Sequence, residues 1–145
     1  MRLLMVASSA DAEQVQGALL NRVRAKVDCQ RLNLGLVLSQ RLLDVPARQR
    51  ALQTPQILTD LLTGSGNLLV DHIELLFDPT LQIDPLRVLK AASRRRSLIV
   101  IWPGALTEGG HLVYAEPGHP EYRRYDSADL ADVTVVDVSA LRWEE

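Results

Sequence analysis

Cysteine is nearly missing from this chain, which has a single one, Cys29, in 145 residues. One thiol can form neither an intrachain disulfide nor a cysteine-based zinc site, so disulfide scaffolds and zinc knuckles are excluded. Aromatic residues make up only 4% of the chain, which disfavours the stacking platforms of proteins that bind single-stranded nucleic acid. The sequence therefore predicts an aliphatic core.

Long hydrophobic runs and a signal-peptide layout are also missing. The longest uncharged apolar stretch, residues 97–106, is well short of the ~20 residues that a bilayer span needs. Acidic residues at Asp11 and Glu13 do not fit a secretory signal. We therefore expect a cytoplasmic protein with no membrane partner. A content of 47% hydrophobic and 23% charged residues predicts a single globular domain over residues 1–145.

Lysine is scarce as well, because Lys26 and Lys90 are the only lysines among 16 basic residues. The arginine side chain suits paired contacts with carboxylates or phosphates. The formal net charge is nevertheless −2, and residues 126–145 are strongly acidic. This balance weakens the case for direct DNA binding, which stays open as an alternative.

The hydrophobic pattern alternates between strands and helices. Apolar runs predict strands at 2–6, 29–34, 67–73, 97–102 and 133–138. Helical spacing predicts helices at 14–27 and 35–43, and two further helices that begin at Thr54-Pro55 and Asp84-Pro85, each a cap followed by a proline. This alternation predicts a parallel α/β sheet, and residues 103–132 are predicted to form a long loop.

An acid at the end of a central parallel strand, as in Leu68-Leu69-Val70-Asp71, is how P-loop nucleoside triphosphatases hold magnesium. Their phosphate loop, G-x-x-x-x-G-K-[ST], follows the first strand, and the corresponding residues here are 7–14. Ala7 and Ala12 stand where the loop needs glycines. Glu13 replaces the lysine and Gln14 replaces the magnesium-binding hydroxyl. Because a carboxylate repels phosphate, the sequence predicts that no ATP or magnesium is bound here.

Over nearly its full length the chain resembles the small P-loop proteins of type 3 BREX phage-defence systems in bacteria, the BrxF family. The longest matching stretches are DHIELLFDP at 71–79, WPG at 102–104 and YAEPGHPEY at 114–122. Shorter matches are Leu42, Leu43, Pro46, Arg48, Arg50, Asp84-Pro85-Leu86, Ser93 and Arg94.

The resemblance implies a P-loop NTPase-like α/β fold, a three-layer sandwich with a parallel sheet and without a lid domain. It also implies partnership with other BREX proteins, and we expect the partner to be the large ATPase. Whether the chain forms a homo- or hetero-oligomer stays open. ATP and magnesium would be the family's cofactors, but the chain departs from the family's phosphate loop at Ala7, Ala12, Glu13 and Gln14.

Several polar residues are candidates for a functional site. Asp71 and Glu74 would be remnants of the magnesium-binding strand end, although for Asp71 a structural cap of the neighbouring strand or loop is favoured over a magnesium ligand. The triplet Arg94, Arg95 and Arg96 is a candidate partner-binding surface, with a solvated helix end as the simpler interpretation. Further candidates for partner contact are the ring residues Tyr114, His119 and Tyr122. The three histidines are too scattered to predict a metal site.

These observations favour a non-catalytic P-loop-fold subunit of a BREX assembly that acts as a partner or regulator of a larger ATPase. Two alternatives stay open. One is an ATPase whose site, with Asp71 and Glu74, is completed by another subunit. The other is a nucleic-acid-binding accessory protein.

Overall fold

The computed structural model describes residues 3–7, 29–107 and 109–137. Its helices are α1 (Leu34–Leu43), α2 (Arg50–Leu62) and α3 (Pro85–Ser93). Its strands are β1 (Leu3–Ala7), β2 (Gln30–Asn33), β3 (Leu68–Asp71), β4 (Leu98–Ile101), β5 (Ala105–Leu106), β6 (Leu112–Tyr114), β7 (Arg123–Tyr125) and β8 (Thr134–Asp137). Short 3-10 turns lie at Ala47–Gln49, Glu74–Phe77 and Pro79–Leu81. The predicted helix at 14–27 and the positions Ala12, Glu13 and Gln14 lie outside the described residues.

A five-stranded parallel sheet forms the centre of the molecule, with the strand order β2-β3-β4-β1-β8. Its central strands are buried on both faces, which explains why they are continuous apolar runs in the sequence. One face packs against the core side chains of the three helices. On the other face, residues of the central strands are also buried, among them Val6, Leu69, Ile99 and Ile101. The predicted parallel α/β sheet is confirmed, and burial of both faces is consistent with a three-layer sandwich.

Helix α3 begins where the sequence predicts. The Asp84 carboxylate accepts hydrogen bonds from the backbone N–H groups of Leu86 and Arg87, and Pro85 occupies the first helical position. Among the described residues, no helix has the length and apolar character to cross a membrane.

The predicted start of α2 is wrong. Thr54 and Pro55 do not open this helix but lie inside it, because it begins at Arg50. The Thr54 hydroxyl donates to the Arg50 carbonyl within the helix. Proline normally disrupts a helix interior, but here the buried face formed by Thr54, Ile57, Leu58 and Leu62 packs into the core and overrides this local preference. The Arg50 side chain also donates to two carbonyls at the end of α1, those of Leu42 and Val45.

The sequence predicts a long loop at residues 103–132. The structure differs, because this segment contains a three-stranded antiparallel sheet, β5-β6-β7. The indole N–H of Trp102 donates to the Val113 carbonyl at 3.1 Å and fixes this sheet to the end of β4. A Cβ atom at Gly104 would lie 1.9 Å from the same carbonyl oxygen. The Trp-Pro-Gly stretch at 102–104 is therefore a close backbone crossing that only glycine allows.

Four of the few aromatic residues gather at this crossing. Phe77 stacks on Tyr114 with ring centroids 4.0 Å apart and meets Trp102 edge-on at 5.5 Å. Trp102 in turn meets Tyr125 edge-on at 6.0 Å. Such pairs contribute about 0.5–1.5 kcal/mol each beyond area burial, so this aromatic cluster holds the two sheets together.

We predict that Gly104→Ala destabilises the protein by about 2 kcal/mol or more, because the added methyl group cannot fit against the Val113 carbonyl. Gly109→Ala is the matched control, since its nearest contact would be the His111 ring at 3.5 Å. We expect the control to change stability by less than about 1 kcal/mol. Urea denaturation measures both variants, and equal stabilities would contradict this account of the crossing.

Candidate functional site

The candidate site lies at the carboxyl ends of the parallel strands. After β1, the next strand in the chain is the edge strand β2, and β3 and β4 then follow in order back towards β1. The last strand, β8, lies on the other side of β1, so the strand order reverses beside β1. Ligands of open parallel sheets bind outside the strand ends at such a reversal. Ala7 ends β1 and is buried, and Asp71 ends β3, two strands away, a separation of about 10 Å at the usual strand spacing.

Asp71 is the buried acid of this edge. Its side chain is 7% exposed, and its Oδ2 atom accepts a hydrogen bond from the guanidinium of Arg31 on β2 at 2.7 Å. The neighbouring strand thus supplies the cation that neutralises this carboxylate. The other oxygen, Oδ1, has no hydrogen-bond partner in the part of the chain that the structure describes. Asp71 is therefore ion-paired through one oxygen, and among the described residues the other oxygen has no partner.

His72 places its imidazole between two acids. Its Nε2 atom lies 3.6 Å from Asp71 Oδ2, and its Nδ1 atom lies 3.9 Å from Glu74 Oε2. Its backbone has a φ of 54°, in the left-handed region that residues other than glycine seldom adopt. The turn packs closely on α1, since a Cβ at Gly35 would lie 2.7 Å from the His72 carbonyl oxygen. Asp71 and Glu74, which the sequence singled out, are thus connected through His72.

This donor set fits a magnesium–nucleotide site poorly. Residues 3–7, 29–107 and 109–137 hold no group of three or more His, Cys, Asp or Glu side chains that could bind a metal. Asp71 already has a cation at hydrogen-bond distance, and a metal at Oδ2 would have to displace Arg31 or lie beside its positive charge. The orphaned Oδ1 is the one described feature that favours a bound cation.

The arginine triplet is divided by the structure. Arg94 and Arg95 are exposed just beyond α3, but Arg96 is buried. The Arg96 guanidinium donates to the carbonyls of Gly66 at 3.0 Å and Ser65 at 2.9 Å, in the turn after α2. The expected partner contact is therefore corrected for Arg96, because its donors are used within the fold. For Arg94 and Arg95 it stays a prediction.

The ring residues of 114–122 have different surroundings. Tyr114 is half-buried in the aromatic cluster, where burial and the charges of Glu121 and Glu74 raise its pKa. His119 is exposed, and its Nδ1 atom accepts a hydrogen bond from the Glu121 N–H at 3.0 Å. Tyr122 is half-buried and lines an open cleft of about 680 Å³ beside Phe77. The structure does not bring the three rings into one site, and their partner role stays a prediction.

Two functional pairings were missed by the sequence reasoning. One pairing is the ion pair of Arg31 with Asp71. The other joins β7 to the start of α3, where the Tyr125 hydroxyl donates a hydrogen bond to the Asp84 carboxylate at 2.7 Å. Arg123 adds a hydrogen bond to the Ile83 carbonyl at 3.0 Å. These partners are some 40 residues apart in the chain, so no local signal could have found them.

Comparison of the chain with protein-family models, with curated proteins and with solved structures gives no match. Its function therefore has to be argued from its own residues and their geometry.

We predict an asymmetric response to breaking the Arg31–Asp71 pair. Asp71→Ala should cost about 1–3 kcal/mol, because Arg31 is 32% exposed and can be solvated when its partner is lost. Arg31→Ala should cost more, about 3 kcal/mol, because it leaves the buried carboxylate unpaired. Thermal and urea unfolding measure both, and Arg41→Ala, which breaks the exposed pair with Asp60, is the matched control. Equal effects at Arg31 and Arg41 would show that the buried pair is not special.

Alkaline stability should depend on Tyr125. Burial and the hydrogen bond to Asp84 raise the pKa of Tyr125 well above its ordinary value of 10.0. A raised folded-state pKa contributes stability that is fully present below about pH 10 and is lost as the pH rises through the folded-state pKa. Wild-type protein should therefore lose stability steeply above pH 10, and Tyr125→Phe, although less stable at neutral pH, should show a shallower decline.

The control for this measurement is Tyr122→Phe, because the Tyr122 hydroxyl of the wild type has no hydrogen bond to any described residue. It should keep the wild-type alkaline slope of the melting temperature. Identical slopes for Tyr125→Phe and wild type would contradict the prediction.

Proposed function

We propose that this chain is a non-catalytic P-loop-type subunit of a bacterial BREX phage-defence assembly, and that it acts by contact with a larger ATPase rather than by hydrolysing nucleotide. The assignment to BREX rests on the resemblance of stretches such as 71–79 and 114–122. The absence of catalysis is argued from the candidate site itself.

The observation that carries this proposal is the Arg31–Asp71 ion pair. In a P-loop enzyme the acid that ends the central strand must be free to hold magnesium next to the phosphates. Here the acid at that position is Asp71, and its Oδ2 atom lies 2.7 Å from the guanidinium of Arg31 on the edge strand β2. The acid then has a structural use, which is to attach β2 to β3 at the edge of the site. This agrees with a phosphate loop in which Glu13 and Gln14 replace the essential lysine and hydroxyl.

The sheet supports the P-loop assignment at the level of architecture. Its strands are parallel, and the reversal of strand order lies beside β1, where a phosphate loop would have to follow. A scaffold of this type can keep its shape after its chemistry is lost, because the core and the site depend on different residues.

One observation favours a second candidate function, an ATPase completed by another subunit. Asp71 Oδ1 is buried and lacks a partner among the described residues, and a buried carboxylate oxygen without a partner calls for a ligand. In this alternative a cation binds Oδ1, and the missing phosphate contacts come from a neighbouring chain.

Calorimetric titration of the isolated chain with ATP and magnesium tests for a nucleotide site within the chain. ATP turnover of the complex with wild-type or Asp71→Asn protein tests for a site that a neighbouring chain completes, and we expect this turnover not to depend on Asp71. We expect no binding by the isolated chain, and we expect magnesium with ATP not to raise the melting temperature of Arg31→Ala, in which Asp71 is released from its ion pair. Mixing the chain with the purified BREX proteins of the same system should yield a stable complex. Binding with a micromolar Kd, or rescue of Arg31→Ala by magnesium and ATP, would favour the ATPase, and failure to bind any BREX protein would refute the proposed partnership.

A further inference from the structure

A groove of about 370 Å³ runs between α2 and α3 on the helical side of the molecule. Its walls are largely apolar and include Pro55 and Leu58 of α2 and Val88, Ala91 and Ala92 of α3. The small side chains of Ala91 and Ala92 leave the space open. Groove residues recur every three or four positions along both helices, so the groove follows the helix axes. Residues 55–63 of its α2 wall extend over about 12 Å, or two helical turns.

Two cations lie at one end of the groove, Arg94 and Arg95. Both are exposed, and neither side chain makes a hydrogen bond or an ion pair with any described residue. Most other described cations do have partners, as Lys90 does in Asp132 at 2.8 Å. No acidic residue is among the described residues that line the groove. The groove therefore combines an apolar wall with positive charge, most clearly that of Arg95, since the charge of Arg94 also acts on Asp132.

We propose that this groove docks an acidic amphipathic helix of a partner protein. Apolar side chains of that helix, spaced i, i+3 or i+4, and i+7, would fill the groove between Leu58 and Ala91, and its carboxylates would pair with Arg94 and Arg95. The apolar walls favour a protein over a nucleic acid, because a phosphate backbone offers charge but no side chains to fill the groove. The inference rests on the proposed function only in taking the partner to be a BREX protein.

A pair of synthetic peptides tests the groove without knowledge of the partner. One peptide carries leucines at i, i+3, i+4 and i+7 with glutamates elsewhere, and the other has lysines in place of the glutamates. We expect saturable binding of the glutamate peptide in fluorescence anisotropy and none of the lysine peptide. Arg95→Glu should weaken binding about tenfold or more, and Ala91→Trp, which fills the groove from an exposed position, should have a similar effect.

Arg48→Glu is the matched control, because it makes the same charge change at an exposed arginine outside the groove that has no side-chain partner within the described part of the chain. It should leave the affinity within about twofold of wild type. Circular dichroism and melting temperature establish that each variant is folded. No binding of the glutamate peptide, or equal loss in Arg48→Glu and Arg95→Glu, would overturn the proposal. Arg95-dependent binding of duplex DNA in preference to the peptide would also overturn it.

The complex with purified BREX proteins separates this inference from the proposed function. A photocrosslinking benzoylphenylalanine at position 56, an exposed residue of α2 beside the groove wall, should label a partner peptide that is rich in acids and has helical leucine spacing. If a BREX protein binds wild type and Arg95→Glu equally and position 56 does not crosslink, the groove is not the contact while the proposed function stands. If no BREX protein binds but the glutamate peptide does, the proposed function fails and the groove remains a docking site.

Discussion

Burial of the parallel sheet on both faces is the constraint on which the rest of this structure depends. Strands such as β3 and β4 can carry only apolar side chains along their length, because both of their faces are covered. Polar chemistry is thereby confined to the strand ends. Asp71, the last residue of β3, is still nearly buried and so requires a partner of opposite charge. The edge strand β2 can supply one, since its partly exposed position lets Arg31 keep one side in solvent while it reaches the carboxylate.

The small antiparallel sheet and helix α3 act as a connected unit. Tyr125 and Arg123 hold the start of α3, at Asp84 and Ile83, and Lys90 in its middle binds Asp132 in the turn before β8. The remaining side of α3 forms the groove wall, and Arg94 and Arg95 follow its end without a hydrogen bond or ion pair to any described residue. The insertion between β4 and β8 therefore positions the helix that would meet a partner, although none of its described residues lines the groove.

The parts of the fold that could be predicted are those that local sequence determines. The apolar run ending in Asp71 and the cap at Asp84 were identified because neighbouring residues alone define them. The start of α2 was misplaced because tertiary packing outweighs the local preference of Pro55. The sequence could not predict that Arg94 is exposed and Arg96 is buried. The two arginines lie in the same short turn after α3, and only the conformation of that turn directs one side chain to solvent and the other into the fold. The Arg31–Asp71 pair could not be predicted from local sequence, because the two residues become neighbours only through the pairing of β2 with β3.

A strand-end carboxylate cannot serve a metal and an arginine equally well. Two cations competing for one acid repel each other, and at about 4 Å with an effective dielectric of 20 this costs roughly 4 kcal/mol for two unit charges and about twice as much when one cation is divalent. Arg31 has the advantage of being attached to the neighbouring strand, so it loses little translational freedom when it binds Asp71. A site arranged in this way is stable without nucleotide, whereas a strand-end acid without such a partner would depend on its ligand for charge balance. The internal ion pair thus balances the charge of Asp71 without a bound nucleotide, which the docking role proposed for α3 would require.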